Sequence, residues 1–183
     1  VIVCSAHIGN WELAGIRQCR AGFPMDYISR PLDHPWLYDR LILWRRAGGI
    51  RTHEKHGAVR SMMKTLKEGR ALAFVVDQNM TIPPRVFVPF FGRLAATPAT
   101  MAHLALRLEV PVVPAYTHPE ADGTYTLEYF PALSVPSGDF DEQVREMTLE
   151  ATRHVESWIR AHPGTWMWMH DRWKTRPEPG EVA

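Results

Sequence analysis

The chain has 183 residues, of which 45% are hydrophobic and 22% are charged. This composition predicts a single domain with its own core, and it excludes a largely disordered chain. No stretch approaches the roughly 20 apolar residues of a membrane-spanning helix. The two cysteines, Cys4 and Cys19, are too few for a disulfide framework and fit a reducing compartment.

The net charge of +1 conceals an uneven distribution of charge along the chain. Residues 1–76 hold 12 Lys and Arg against 6 Asp and Glu, whereas residues 77–183 hold 9 against 14. A basic half indicates contact with an anionic group, such as a substrate phosphate or a lipid surface. A charged face that is only solvated would give the same distribution.

Hydrophobic runs and turn residues predict strands that alternate with helices. In chain order they are strand Val1–Ser5, helix Trp11–Ala21 capped by Asn10, strand Met25–Ser29, helices His34–Ala47 and Gly57–Glu68, strand Arg70–Val76, strand Val86–Phe91, a helix that Thr97 caps and that ends near Leu108, strands Val110–Tyr116 and Tyr125–Phe130, and helix Asp141–His162. This alternation predicts an α/β fold with a mainly parallel or mixed central sheet flanked by helices. We expect an antiparallel edge near residues 125–130.

The ends of the chain suggest a domain boundary and a truncation. The sequence starts inside a predicted strand, with no initiator methionine and no signal peptide, so we expect an N-terminally truncated protein. Residues 1–177 are predicted to form one domain. Residues 178–183, rich in Pro and Gly, are predicted to be a disordered tail.

The strongest candidate for chemistry is the segment from His7 to Glu12. Residues five apart do not share a helix face, so the two side chains meet only if His7 lies in a loop and Glu12 in the first helical turn. Gly9 permits the tight turn between them. The carboxylate would then hold the imidazole as the base of an acyl transfer in which a substrate hydroxyl is the nucleophile. The alternative is a loop histidine beside an unrelated carboxylate that favours a helix start.

Charged residues elsewhere are candidates for substrate binding. Arg30, at a strand end, has the planar fork that clamps a phosphate, although a surface arginine in a turn is the alternative. Arg45 and Arg46 are adjacent, so only one can face a given site, and we favour Arg45. Asp77 ends an apolar strand, where α/β active sites collect, and we expect it to organise the site with one of these arginines as its partner. A structural salt bridge is the alternative.

Gly92 and the phenylalanines near it are weaker candidates. Gly92 would let backbone N–H groups approach an oxyanion, and a simple turn glycine is equally consistent. Phe87, Phe90 and Phe91 would line an acyl slot or pack in the core.

The end of the chain is aromatic and basic. Tryptophans beside cations suit a lipid headgroup layer. The same residues could stack on nucleic-acid bases, but the sequence contains no recognised nucleic-acid-binding module. The residues concerned are Trp166, Trp168, His170, Arg172, Trp173, Lys174 and Arg176. The spacing of His53 and His56 is weak support for a metal, and we expect none.

The motif HIGNWE (His7–Glu12) resembles the His-x4-Asp/Glu motif of the glycerolipid acyltransferase superfamily, in the form found in bacterial lipid A late acyltransferases. Segments along the whole chain resemble further motifs of that family in the same order. They are SRPLDHP (Ser29–Pro35) with Arg45 or Arg46 downstream, VVDQN (Val75–Asn79), VFVPFFGRLAATPAT (Val86–Thr100), VPVVPAY (Val110–Tyr116) and WMWMHDRWKTRP (Trp166–Pro177).

The resemblance implies transfer of a fatty acyl group from an acyl carrier protein or coenzyme A thioester to a hydroxyl of a lipid A precursor or related phosphorylated glycolipid. It implies His7 as the general base and Glu12 as its orienter, with no cofactor and no metal, at the cytoplasmic face of a bacterial inner membrane. The substrate-binding residues implied are Arg30, Arg45, Asp77, Gln78 and Gly92.

Departures from the family pattern concern the acceptor. Ser29 replaces a tyrosine, His34 an asparagine and Asn79 an aspartate. The resemblance also implies an N-terminal membrane anchor, which we expect to belong to the truncated upstream segment. A lysophospholipid or a mannosylated phosphoinositide is therefore an alternative acceptor for the same chemistry. An inactive lipid-binding domain is a more remote alternative.

Overall fold

The computed structural model describes residues 1–54, 58–179 and 181. Its strands are β1 (Ile2–Ser5), β2 (Met25–Ser29), β3 (Arg51–Glu54), β4 (Ala71–Val75), β5 (Arg85–Phe90), β6 (Arg93–Pro98), β7 (Val112–Pro119) and β8 (Tyr125–Tyr129). Its helices are α1 (Trp11–Arg20), α2 (Pro35–Ala47), α3 (Ala58–Lys67), α4 (Thr100–Leu108), α5 (Phe140–Ala161) and a 3₁₀ turn at Pro163–Thr165.

The main sheet has six strands in the order β3-β2-β4-β1-β7-β8. The first five are mutually parallel, and β8 is an antiparallel edge strand beside β7. A separate hairpin pairs β5 with β6. The predicted α/β class, with a mainly parallel sheet and an antiparallel edge near residues 125–130, is confirmed.

Alternate residues of the parallel strands point to opposite faces of the sheet, and each face has its own core. On one face Ile2, Cys4 and Leu72 pack under α3, α4 and α5 in the larger core. On the other face Val3 and Met25 belong to a core of only four buried residues that packs against α1. The face that carries α1 is therefore the more sparsely packed one.

Two strands were not predicted, and both lack the apolar alternation of a half-buried strand. β3 has the sequence RTHE and lies at the sheet edge beside β2. β6 pairs Thr97 with Val86 and Pro98 with Arg85, so the residues predicted to start a helix end a strand instead. Helix α4 begins at Thr100 behind the N-cap Ala99.

A buried carboxylate ties the β2–β3 edge to its neighbours. Asp26 is fully buried and accepts hydrogen bonds from Arg51 Nε (3.1 Å), Arg70 Nε (2.6 Å) and Thr65 Oγ1 (2.6 Å). His53 Nε2 lies 2.7 Å from the same carboxylate. Burial would raise the pKa of Asp26, but these hydrogen bonds outweigh it and hold the pKa below its ordinary value.

Among the residues described, no helix is both long and apolar enough to cross a membrane. Gly57, the predicted start of the third helix, lies outside the described residues. The predicted disorder of residues 178–183 falls partly on undescribed residues and stays a prediction.

Candidate active site

The site lies at the carboxyl ends of the neighbouring parallel strands β1 and β4. His7 follows the end of β1 by two residues, and Asp77 follows the end of β4 by two. His7 Nδ1 lies 2.9 Å from Asp77 Oδ1, and the backbone N–H of His7 donates to Asp77 Oδ2 (3.1 Å). Because the two strands are adjacent and parallel, their loops meet at one edge of the sheet, which is where α/β proteins bind ligands.

Asp77 is ionised in a buried environment that satisfies it. The residue is 2% exposed, and a third hydrogen bond reaches it from Trp166 Nε1 (2.8 Å). Burial would raise the pKa of Asp77, but the hydrogen bonds from His7 and Trp166 lower it below its ordinary value. With its Nδ1 proton directed at a carboxylate, His7 keeps Nε2 as the basic nitrogen.

The predicted partnership of His7 with Glu12 is wrong for this structure, because Glu12 is engaged by an arginine. Arg45 Nε donates to Glu12 Oε2 (2.9 Å) and Arg45 Nη2 to Glu12 Oε1 (2.5 Å). Asp77 is therefore held by His7 and Trp166, and the arginine partner expected for it pairs with Glu12. The preference for Arg45 over Arg46 is supported by burial, since Arg45 is buried and Arg46 is exposed.

The position of Glu12 follows from the local sequence, as predicted. Asn10 caps α1 by accepting a hydrogen bond from the Leu13 backbone N–H (3.0 Å). Gly9 has φ +60°, a left-handed conformation that glycine adopts without strain. A Cβ at this position would also overlap the carbonyl oxygen of Thr117. The turn thus needs glycine both for its dihedral angle and for space.

The C-terminal segment, residues 163–177, closes the His7 loop from outside. The Gly9 N–H donates to Thr165 O (3.0 Å), and the Met167 N–H donates to His7 O (3.1 Å). Trp166, which also donates to Asp77, is 5% exposed. The interpretation of this segment as a lipid-facing tail does not hold for Trp166 and Arg172, which are buried, whereas Trp168, Lys174 and Arg176 are exposed. Only Trp168 and Met169 are strongly exposed apolar side chains there.

Arg172 is the deepest cation of this segment. It is 1% exposed, donates to Ala96 O (2.8 Å) and Thr97 Oγ1 (2.6 Å), and lies over the Phe90 ring. Burial lowers the pKa of the Arg172 guanidinium to about 10, although the charge of Asp77 opposes that shift. This residue anchors the segment to β6.

A cavity of about 860 Å³ opens beside His7. Its polar lining includes Glu12, Arg30, Arg45 and Gln78. In the described part of the chain, the buried Nη1 of Arg45 has no hydrogen-bond partner. The apolar lining includes Leu32, Leu41, Ala58, Val59, Met62, Phe74, Val75, Met80 and Ile82. A cavity of this size, with few polar groups and an apolar wall, fits an amphiphilic ligand.

Of the other predicted site residues, Arg30 lines the cavity beside His7 and Gly92 does not. Arg30 is exposed at the cavity and pairs loosely with Asp33, their nearest atoms being 3.6 Å apart. Gly92 does not line this cavity. It lies with Phe91 in the β5–β6 turn, both at positive φ, so the oxyanion interpretation is not supported.

The phenylalanines of β5 are core rather than slot residues. Phe87 and Phe90 are buried, and Phe90 contacts Trp166 and Trp173 edge-on or tilted. Neither they nor Phe91 lines the cavity.

Asn79, a departure from the family pattern, contacts the C-terminal segment. Its backbone N–H donates to His170 Nε2 (2.7 Å), and its side-chain amide donates to Thr175 Oγ1 (2.9 Å). Burial lowers the pKa of His170, which keeps its ring neutral and able to accept. Asn79 therefore fixes this segment in place.

No cluster of three or more potential metal ligands occurs within residues 1–54, 58–179 and 181. His53, one of the two histidines considered as ligands, contacts Asp26 as described above. His56 lies outside the described residues.

The carboxylate on Nδ1, the free Nε2 and the adjacent cavity together allow general base catalysis on a bound hydroxyl. The pairing of His7 with Asp77 was not predicted from the sequence, nor was the hydrogen bond that Trp166 donates to Asp77. The shared position of His7 and Asp77, two residues beyond a buried strand, was the available signal for the first. No signal in the sequence pointed to Trp166 as a donor.

A family model described as bacterial lipid A biosynthesis acyltransferase matches residues 1–175. A lipid A biosynthesis lauroyltransferase of Escherichia coli K12 is 30% identical over 97% of this chain and 57% of its own length. A phosphatidylinositol mannoside acyltransferase of Mycolicibacterium smegmatis is 25% identical over 94% of this chain and 56% of its own length. A lipid A biosynthesis acyltransferase of Haemophilus influenzae is 25% identical over 97% of this chain and 55% of its own length. The chain thus spans somewhat more than half the length of these relatives.

Proposed function

This chain belongs to the bacterial lipid A biosynthesis acyltransferase family, and we propose that it transfers a fatty acyl group from a thioester to a hydroxyl of a phosphorylated glycolipid. The observation that carries the proposal is the contact of His7 Nδ1 with the buried Asp77 carboxylate at the wall of an amphiphilic cavity. That contact leaves Nε2 free to act as a base.

In the proposed reaction, neutral His7 removes a proton through Nε2 from the acceptor hydroxyl. The hydroxyl oxygen attacks the thioester carbonyl carbon, and the resulting tetrahedral oxyanion collapses with cleavage of the C–S bond. The departing thiolate takes the proton back from the imidazolium, so an ester and a free thiol are formed. Asp77 stabilises the imidazolium between these two proton transfers and does not itself become protonated.

Arg45 and Arg30 are proposed to bind the polar part of the substrates. Arg45 is held by Glu12, and within the described residues its buried Nη1 has no hydrogen-bond partner, so it is preorganised to donate to a substrate oxygen. Arg30 is exposed at the cavity and is suited to a phosphate that arrives from outside. Gln78 also lines the cavity. In this proposal Glu12 positions Arg45.

The apolar wall of the cavity is proposed to receive the acyl chain. Met62 and Phe74 lie on it together with Val59 and Met80. Burial of a chain there gains roughly 0.8 kcal/mol per methylene group. No cofactor or metal is needed in this scheme, because the thioester is already an activated acyl donor.

The proposed acceptor is a lipid A precursor, and the proposed donor is acyl carrier protein or coenzyme A. Two of the relatives above are named for lipid A biosynthesis, which favours this acceptor. A mannosylated phosphoinositide is the second candidate, because another relative is named for that activity. A lysophospholipid would be accepted by the same chemistry. The proposed location is the cytoplasmic face of a bacterial inner membrane, with the membrane surface as a partner.

Replacement of the base tests the chemistry. His7→Ala should abolish acyl transfer from a radiolabelled thioester while the chain stays folded, because the backbone N–H of residue 7 and Trp166 still donate to Asp77. His103→Ala is the matched control, since His103 lies in α4 and contacts its own helix at Ala99 O. Turnover retained by His7→Ala would refute the assignment. An inactive lipid-binding domain predicts instead that the unaltered chain consumes no thioester.

The acceptor is tested with a panel. A lipid A precursor, a phosphoinositide mannoside and a lysophospholipid are each offered with acyl carrier protein and coenzyme A thioesters, and products are identified by mass spectrometry. We expect the phosphorylated glycolipid to be the preferred acceptor. Preferred acylation of one of the other two would replace it.

A further inference from the structure

Helix α2 is apolar on both its faces, which is unusual for a helix on the surface of a protein. Its inner face carries Leu41, Ile42 and the buried Arg45. Its outer face carries two tryptophans and two leucines that are 49–63% exposed. They are Trp36, Leu37, Leu43 and Trp44. A helix of this kind normally buries both faces, so the outer face indicates a partner.

The outer face also carries positive charge. At 100° per residue, Arg40 lies between Trp36 and Trp44 on the same side of the helix, and Arg46 lies at its flank. Both arginines are exposed, and Asp39 is the only acidic residue of the helix. The helix belongs to the basic half of the chain, residues 1–76. Tryptophan rings among arginines match the boundary between lipid headgroups and acyl chains.

Helix α2 also borders the cavity that contains His7. Leu41 and Arg45 on the inner face of the helix line the cavity. Leu32, Val59 and Ile82 also line it and are 44–61% exposed, so they form an apolar rim. A lipid bound at this rim would reach His7 without passing through water.

We propose that the outer face of α2, with Trp36, Leu37, Arg40, Leu43 and Trp44, is a docking surface for an anionic lipid bilayer. The helix lies along the bilayer surface, its tryptophans enter the headgroup layer, and the cavity rim faces the lipid. This inference rests on the proposed function, because it specifies how a lipid acceptor reaches the cavity.

The test is sedimentation of the purified chain with lipid vesicles at low salt. Vesicles of phosphatidylethanolamine with phosphatidylglycerol are compared with vesicles of phosphatidylcholine. We expect strong binding to the anionic vesicles only. Trp36→Ser/Trp44→Ser should lower the partition coefficient by about tenfold or more, because two aromatic rings no longer leave water. Arg40→Gln/Arg46→Gln should lower it about fivefold for each charge on anionic vesicles alone.

Trp168→Ser is the matched control, because Trp168 is the exposed tryptophan of the C-terminal segment, at 54%. It should bind vesicles as the unaltered chain does. Circular dichroism confirms that each variant is folded. If the double tryptophan variant is not folded, the arginine variant decides, since its substituted side chains are exposed.

Three results of the vesicle experiment would overturn the proposal. They are absence of binding by the unaltered chain, equal binding to both kinds of vesicle, and a loss in Trp168→Ser as large as that in the double tryptophan variant. A lipid-free dimer that the tryptophan substitutions dissociate would also overturn it, because the surface would then join two copies.

The two proposals fail in distinguishable ways. Transfer to an acceptor dispersed in detergent should be unchanged in the α2 variants, since Trp36, Trp44, Arg40 and Arg46 do not line the cavity. If the enzymatic proposal fails, no chain transfers acyl groups but the order of vesicle binding persists. If the docking proposal fails, acyl transfer persists but the α2 variants no longer bind anionic vesicles more weakly than the unaltered chain and Trp168→Ser.

Discussion

At the scale of single residues, the partner of a base depends on strand order more than on sequence distance. Glu12 is five residues from His7, yet the carboxylate on His7 is that of Asp77, seventy residues away. The sequence contained the residue type, the strand end and the expectation that Asp77 organises the site. It did not contain the adjacency of β1 and β4, which brings the two loops together.

Exchange of the two carboxylates for amides separates their roles. Asp77→Asn presents an amide N–H where His7 Nδ1–H needs an acceptor, so the wrong tautomer is favoured, and kcat should fall by about 10²–10⁴-fold. Glu12→Gln keeps the contact of His7 with Asp77 and should act mainly on KM through a less well-held Arg45. Steady-state kinetics on folded variants measures both. A fall in kcat for Glu12→Gln as large as that for Asp77→Asn would make Glu12 the orienter after all.

The glycine that precedes α1 gives a second prediction at this scale. Gly9→Ala would place an alanine at a left-handed φ and its Cβ against the Thr117 carbonyl. Gly92→Ala would also place an alanine at a left-handed φ, but its Cβ would point into open space. The dihedral alone costs about 1–2 kcal/mol. Gly9→Ala should therefore lower the free energy of unfolding by clearly more than Gly92→Ala, and it alone should lower the transfer rate. Equal losses in urea denaturation would show that the loop adjusts at no cost.

At the scale of elements, strands and helices with a regular apolar pattern were predicted well, whereas those made mainly of polar residues were not. The strands β1, β4 and β7 are predicted by their short apolar runs, and Asn10 caps α1 as expected. The edge strand β3 has no apolar residue, since its stability comes from pairing with β2 and from the Asp26 cluster. The burial of Trp166 and Arg172 in the C-terminal segment could not be predicted, because tryptophan and arginine suit a lipid surface and a stacked interior equally well.

The Asp26 cluster links β2, β3 and the end of α3, so its loss should destabilise the whole sheet edge. Asp26→Asn leaves Arg51 and Arg70 without their shared buried charge, and the free energy of unfolding at pH 7 should fall by about 3–5 kcal/mol. Asp122→Asn is the control, because Asp122 lies in an exposed turn and should change stability little. Urea denaturation measures both. A loss no larger than that of the control would show that Asp26 contributes nothing net.

The same carboxylate contributes a pH dependence. Because the pKa of Asp26 is lower in the folded chain than in the unfolded one, the folded chain binds fewer protons between the two values. Its stabilising contribution is complete above the ordinary aspartate pKa of about 4 and is lost as the pH falls further. The stability difference between the unaltered chain and Asp26→Asn should therefore shrink below pH 4. A difference that stays constant down to pH 2 would contradict this.

At the scale of the whole molecule, the two faces of the sheet are unequal. α3, α4 and α5 cover one face with a large core, whereas the face that carries α1 has a small core and α2 exposes two tryptophans. The cavity is lined by residues of α1, α2 and α3. Composition predicted one domain, which stays a prediction, and a basic half, in which the cavity residues Arg30 and Arg45 lie. It did not predict which face would be sparsely packed, because that depends on the hand and order of the crossovers, which are properties of the assembled sheet.

The hydrogen bonds that join Gly9 to Thr165 and Met167 to His7 connect the start of the chain to its far end. During translation, the ribosome therefore synthesises the His7 loop long before the C-terminal segment that closes it. During that interval Asp77 lacks the hydrogen bond from Trp166 Nε1, and the carbonyl of His7 lacks the one from the Met167 N–H. Translation that stops before residue 166 therefore yields a chain that contains His7 and Asp77 but lacks Trp166, the third hydrogen-bond donor to that carboxylate.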